Sequence, residues 1–157
     1  MLRQNPHLQL MGALGFSASD LAANSQGELS ANQQEALKEA RNLQLGRWAT
    51  VAALLWIVGL ALNTGLMALL FGTAAIVSVM MATWGRAGDD LVGHVQSISG
   101  RLDITADFPL ILTYRIELNG ETFHVARGAG AAFQPGRIYR LYYTANSRTV
   151  LSAELVA

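Results

Sequence analysis

Between Trp48 and Gly85 the chain reads WATVAALLWIVGLALNTGLMALLFGTAAIVSVMMATWG, a stretch without Asp, Glu, Lys, Arg or His. As a single helix, these 38 residues would be ~57 Å long, nearly twice the ~30 Å hydrocarbon core of a bilayer. The segment must therefore turn, and Asn63-Thr64-Gly65 is its only polar, turn-forming break. We predict a transmembrane hairpin with helices at about 48–62 and 66–84, and with Trp48 and Trp84 at the same interface.

The composition agrees with a membrane protein and excludes several other classes. Hydrophobic residues make up 52% of the 157 residues and charged residues only 14%, against about 25% in a soluble domain. The net charge is zero, so the chain lacks the basic surplus of a nucleic-acid-binding protein. It has no cysteine, which excludes disulfides, thiolate metal sites and cysteine nucleophiles.

The basic residues beside the apolar segment predict its orientation. Lys38, Arg41 and Arg47 precede it, Arg86 follows it, and its central turn has no charge. The positive-inside rule then predicts a multi-pass protein of the inner (plasma) membrane with both termini in the cytoplasm. The first nine residues lack an apolar stretch of signal-peptide length, so we expect no cleaved leader.

Two capping boxes mark helices before the apolar segment. Ser17 to Asp20 and Ser30 to Gln33 both have the spacing in which a serine caps a helix and the later side chain reaches back. They predict a short helix at about 18–25, stopped by Gly27, and a longer one from 31 to about 46. Residues 1–14 are expected to be loose, because a proline and a glycine interrupt them.

The clearest strand signal lies after the apolar segment. Residues 110–118 alternate with period two, and Asn119-Gly120 follows as a strong two-residue hairpin signal. The return strand is 121–126, and the turn length places Ile116 opposite Phe123 and Arg115 opposite His124. The same register places Tyr114 opposite Val125 on the buried side.

Three further strands complete the C-terminal part, at about 91–98, 136–143 and 149–155. Five short antiparallel strands predict a small β-barrel or rolled sheet of SH3-like or OB-like type. The whole chain is thus predicted to be an α+β membrane protein: a cytoplasmic helical arm at 1–47, a transmembrane hairpin at 48–85 and a cytoplasmic β domain at 86–157.

The strand and turn residues of this domain resemble a family of bacterial membrane proteins in which a β domain of unknown function follows a hydrophobic segment. Its pattern is a V-x-Y-x-Y strand, an N/D-G hairpin and a later G-x-x-V-x-V-Y-Y-x-P strand. The chain has Leu112-Thr-Tyr-Arg-Ile, Asn119-Gly120 and Gly136-Arg-Ile-Tyr-Arg-Leu-Tyr-Tyr143, but Thr144-Ala145 where the family has Asp-Pro. The resemblance covers about 65 residues and implies a fold and a membrane context, but no activity.

The residues do not form a catalytic, cofactor-binding or metal-binding signature. His94 and His124 lack the close spacing of metal ligands, and Asp89-Asp90 is expected to be a polar hinge leaving the membrane. Residues 128–132 are glycine-rich but lack the Lys-Ser/Thr ending of a phosphate loop, which predicts a flexible or closely packed connection. Tyrosines 139, 142 and 143 are expected in the core or at its rim rather than as a base-stacking surface.

We therefore expect a non-enzymatic, membrane-anchored adaptor or accessory subunit that presents the β domain at the cytoplasmic face. Its predicted partners are the lipid bilayer and either another membrane protein or a second copy, since small residues on both spans allow close helix packing. One alternative is a membrane-bound enzyme, or its regulatory subunit, that uses His94, His124, Asp89 and Asp90. A further alternative is a homo-oligomeric membrane scaffold.

Overall fold

The computed structural model describes residues 6–61, 65–92, 94–106 and 113–156, and shows there an α+β fold of five helices and a five-stranded antiparallel sheet. The chain divides into two compact units. One unit combines the residues up to Gln33 with those from Gly93 onward, and the other comprises Gln34–Val92.

The N-terminal residues form a helix that the sequence did not predict. Helix α1 spans Pro6–Leu14, and its Leu10 is fully buried in the hydrophobic core together with Phe16. The expectation of a loose segment was wrong for these residues. A proline is well tolerated at the first helical position, where its missing N–H would lack a helical partner anyway. Burial of Leu10 then supplies the stability that the local sequence lacks.

Helix α2, Ala18–Ser25, confirms the first capping box. The Ser17 hydroxyl accepts the backbone N–H of Asp20, and the Asp20 carboxylate accepts the backbone N–H of Ser17. The chain then turns at Gly27, whose φ of 83° is a conformation that glycine adopts without strain.

Helix α3 begins at the second capping box but does not end at residue 46. It spans Ala31–Ala61 as one uninterrupted helix of 31 residues, so the arm and the first apolar segment are a single element. Gly46 does not break it, because a glycine within a helix costs only about 1 kcal/mol relative to alanine. Among the described residues, α3 alone is long and apolar enough to cross a membrane by length and composition.

Helix α4, Leu66–Val92, continues past the expected end at 84. The predicted turn at 63–65 lies largely outside the described residues. The Trp56 indole N–H donates to the Thr73 hydroxyl across 2.6 Å and so joins α3 to α4. The less exposed side of α4 carries the larger residues Leu69, Thr73, Ile76 and Met80, whereas Gly72, Ala74, Ala75 and Ser78 are exposed.

The expectation that small residues of both helices pack on each other was therefore wrong for this part of α4. On α3, by contrast, Gly59 is buried and Ala52 is half-buried.

The sheet is built around its first strand. Strand β1, Val95–Ala106, pairs with β4 through its first half and with β2 through its second half. The other strands are β2 (Thr113–Leu118), β3 (Glu121–Ala126), β4 (Ile138–Thr144) and β5 (Val150–Leu155), and the short helix α5, Arg127–Gly130, connects β3 to β4. The strand order is β3-β2-β1-β4-β5, all antiparallel.

The predicted hairpin is confirmed residue by residue. Asn119 and Gly120 have positive φ values of 54° and 82°, as a type I′ turn requires. Ile116 pairs with Phe123 and Arg115 with His124.

The predicted first strand at 91–98 was misplaced. Residues 91 and 92 end α4, and β1 begins at Val95 and runs for 12 residues. The sequence signal was weak because exposed and buried positions change along a strand that pairs on two sides with different neighbours.

The close contact between Gly130 and Tyr114 gives a testable prediction. A Cβ added at Gly130 would lie 2.6 Å from Cγ of Tyr114, so the ring or the helix must move. We expect Gly130→Ala to lower the free energy of unfolding by about 1–3 kcal/mol, as overpacking does in well-packed cores. Thermal unfolding measures this.

Gly128→Ala is the matched control, because a Cβ added at Gly128 meets no atom within 4 Å. Equal stability of the two variants would contradict the close packing.

Candidate functional site

The most connected polar site in the described residues is where the first turn of α3 joins β5. The Ser30 hydroxyl accepts the backbone N–H of Gln33 at 3.2 Å, and the Gln33 side-chain oxygen accepts the Ser30 N–H at 3.4 Å. The Gln33 amide nitrogen then donates to the backbone carbonyl of Leu151 at 3.3 Å. One residue therefore both caps α3 and attaches it to the sheet.

A β-bulge makes that carbonyl available. Tyr142 pairs with Ser152 and Tyr143 with Val150, so Leu151 is an extra residue in β5. A bulged residue leaves the regular ladder, and its carbonyl needs another donor. Gln33 supplies this donor.

Asp20 links the starts of two helices. Its buried carboxylate accepts hydrogen bonds from the backbone and hydroxyl of Ser17, at 2.8 Å each, and from the Ser30 hydroxyl. Burial alone would raise the pKa of Asp20, but the hydrogen bonds from Ser30 and Ser17 outweigh it and hold the pKa below its ordinary value of 3.8. The carboxylate is therefore kept ionised by serines.

A second buried polar contact attaches α2 to the sheet. The Asn24 side-chain nitrogen donates to the Ser152 hydroxyl across 2.7 Å, and both residues are almost completely buried. Together with Gln33, this contact places the helical arm on the outer side of β5.

Further along β4 and β5, charged side chains form an exposed network. Arg140 lies 3.1 Å from the Glu154 carboxylate and also donates to the Ser99 hydroxyl. The Tyr142 hydroxyl donates to the same carboxylate at 2.9 Å. Burial, together with the adjacent Glu154, raises the pKa of the Tyr142 hydroxyl. Each charge in this network has a partner, so it contributes to structure rather than to bond-making chemistry.

The outer face of β1, β2 and β3 carries two rows of opposite character. In one row Asp103 lies opposite Glu117, which lies opposite Thr122. In the next row Thr105 lies opposite Arg115, which lies opposite His124. Two carboxylates directly opposite each other are unfavourable in a sheet, so the acidic row has a need for nearby positive charge.

The histidines of the enzyme alternative do not converge. His94 directly precedes the first residue of β1, whereas His124 aligns through Arg115 with Thr105 near the other end of that strand. Both side chains are exposed. The side chains of Asp89 and Asp90 lie outside those described. Among the described residues, no group of three or more His, Cys, Asp or Glu side chains is arranged to hold a metal.

The tyrosines and the glycine-rich connection have structural roles. Tyr139, Tyr142 and Tyr143 are all buried, so they do not offer stacking surfaces to bases. Tyr139 packs edge-on against Phe133 with 5.2 Å between ring centroids, and its hydroxyl accepts the Gln134 N–H. Of the connection at 128–132, Ala129 and Gly130 are buried in α5, as a closely packed segment would be.

Sequence reasoning identified the caps at Ser17 and Ser30 but missed their long-range partners. The contacts of Asn24 with Ser152 and of Gln33 with Leu151 join residues more than 100 positions apart. Their one available signal was the capping-box pattern, which marks Gln33 as a polar side chain turned toward its own backbone.

Comparison with known proteins gives no family: no family model matches the chain, and no curated protein and no solved structure is similar to it.

The Asp20 site predicts a pH-dependent stability. Because the folded-state pKa is lowered, the carboxylate contributes fully above 3.8, and the contribution is lost as pH falls through the lower folded-state value. Asp20→Asn should destabilise the protein by about 1 kcal/mol at neutral pH, a typical cost of losing a helix cap. The difference from wild type should shrink in acid.

Thermal unfolding of both proteins across the acid range provides the measurement. Ser25→Ala serves as the control, because Ser25 is exposed and bonds only to the Ala22 carbonyl of its own helix. A difference between Asp20→Asn and wild type that did not change with pH would contradict the assignment.

Proposed function

We propose that the protein is a membrane-anchored, non-enzymatic adaptor or accessory subunit. The observation that supports this most directly is the exposure of apolar side chains on the second half of α3. Leu54, Leu55, Ile57, Val58 and Leu60 are each between 50% and 66% exposed. A soluble protein rarely exposes a continuous apolar surface of this extent, whereas a lipid-facing helix must.

A hairpin rather than a single span is supported by the contact between α3 and α4. Leu69–Met81 is an apolar stretch of α4, with Phe71 and Met81 strongly exposed. Thr73 accepts the Trp56 N–H and donates to the Leu69 carbonyl, so both polar groups are satisfied without water. Polar groups at membrane depth require such partners.

The distribution of basic residues supports cytoplasmic termini. Arg47 is the last charge before the apolar part of α3, and Lys38 and Arg41 lie within three turns of it on the same helix. By the positive-inside rule, this end of α3 faces the cytoplasm, and a hairpin returns the chain to the same side.

The sheet supports the OB-like alternative for the β domain. Strand β1 pairs with both β2 and β4, and the connection from β3 to β4 carries a helix. This arrangement fits a partly open five-stranded Greek-key barrel. With its tyrosines buried and its charges balanced, such a module suits protein contacts better than oligonucleotide binding.

Anchoring and orientation are tested in membranes with single cysteines, which the chain otherwise lacks. The protein should remain in the membrane fraction through an alkaline carbonate wash. An impermeant maleimide should label Gly65→Cys in intact cells, and Gln26→Cys and Gln134→Cys only after the cells are opened. Labelling of Gln134→Cys in intact cells would overturn the orientation, and release by carbonate would overturn the anchoring.

The adaptor role is tested by purification in mild detergent after cross-linking in native membranes. A stoichiometric partner, either another membrane protein or a second copy, should purify with the full chain. A strictly monomeric protein without a partner, before and after cross-linking, would refute the role.

A further inference from the structure

The two outer strands of the sheet are treated differently. Helices α1 and α2 pack against β5, and the Gln33 side chain occupies its Leu151 carbonyl. The other outer strand, β3, comes near β5 without forming a ladder with it. Natural sheets block exposed edges with lysines, prolines, bulges or covering elements. Strand β3, Glu121–Ala126, contains no lysine, proline or bulge.

The hairpin fixes which backbone groups of β3 face outward. Leu118 and Glu121 flank the two-residue turn and exchange hydrogen bonds with each other. Hydrogen-bonded and non-hydrogen-bonded pairs alternate along an antiparallel ladder. The amides and carbonyls of residues 122, 124 and 126 therefore point away from β2.

We propose that β3 pairs antiparallel with β3 of a second copy of the chain, with Thr122 of each copy opposite His124 of the other. This deepens the proposed adaptor function, on which it rests, by naming the surface and the partner. In this register both facing pairs fall on residues whose backbone groups point outward, so each pair exchanges two hydrogen bonds.

Charge selects this register. It places the row that ends in Arg115 and His124 in line with the row of the second copy that ends in Thr122 and Glu117. The two-fold symmetry repeats the match in reverse, so each acidic row meets a basic row. The neighbouring register, with His124 opposite His124, would instead align Arg115 with Arg115, and like charges in line are unfavourable.

The contact is short, and membrane anchoring compensates for this. Five residues of each strand overlap in the proposed register, which is a small interface for two molecules in solution. Two copies held in one membrane plane have a raised effective concentration, which lets a weak contact form. We therefore expect dimers in membranes that dissociate on dilution in detergent.

Substitution of Thr122 tests the edge. Thr122→Pro removes an outward N–H that the hairpin itself does not use, so the β domain should keep its melting temperature. It should reduce cross-linked dimer in vesicles at least about tenfold, because proline cannot donate to a second strand. Thr122→Val keeps the N–H and the β-branched shape, and should dimerise like wild type.

Cysteine pairing tests the register. Copies carrying Thr122→Cys and copies carrying His124→Cys should form a disulfide when reconstituted together, whereas either variant alone should form little. Glu117→Lys should weaken the dimer about threefold, a modest effect expected of exposed, partly screened charges. The double variant R115E/E117K should restore it.

Each outcome decides the proposal. Reduced dimer in Thr122→Pro with the mixed disulfide formed supports it. An undiminished dimer in Thr122→Pro, or equal disulfide yield in the single-variant samples, overturns it. A chain that is monomeric in membranes but purifies with a different protein overturns the self-pairing while leaving the adaptor function intact.

Discussion

Backbone amides and carbonyls find no water inside a bilayer, so a segment without charges can enter it only if every one of those groups bonds within the segment. Residues 48–85 meet this condition by being helical on both sides of the short stretch that lies outside the description. The requirement explains the long α3, the exposure of its leucines and the bond between Trp56 and Thr73. It also leaves the β domain to form its core from the remaining residues.

That core depends on side chains from both ends of the chain. Leu10 and Phe16, from the helical arm, are buried with Leu102, Ile116 and other sheet residues. A 65-residue β domain alone buries a modest apolar surface, and small domains of this size are marginal. The arm therefore completes the domain as well as leading into the membrane.

The sequence allowed prediction of those elements whose signals are local. The capping boxes at Ser17 and Ser30 and the Asn119-Gly120 turn each depend on neighbouring residues, and all three were correct. The elements that failed depend on distant contacts: α1 is stabilised by burial of Leu10, and β1 pairs with two strands that come later in the chain. The attachment of Gln33 to Leu151 was missed for the same reason, since the bulge that frees the carbonyl has no local sequence signature.

The bulge links two properties of the molecule that would otherwise be independent. If β5 were one residue shorter, with Leu151 deleted, its ladder with β4 would be uninterrupted and every carbonyl in it would already be engaged. The first turn of α3 would then find no acceptor on the strand. An irregular sheet is thus the condition for fastening the helix, and a mutational route toward a more ideal sheet would detach the arm.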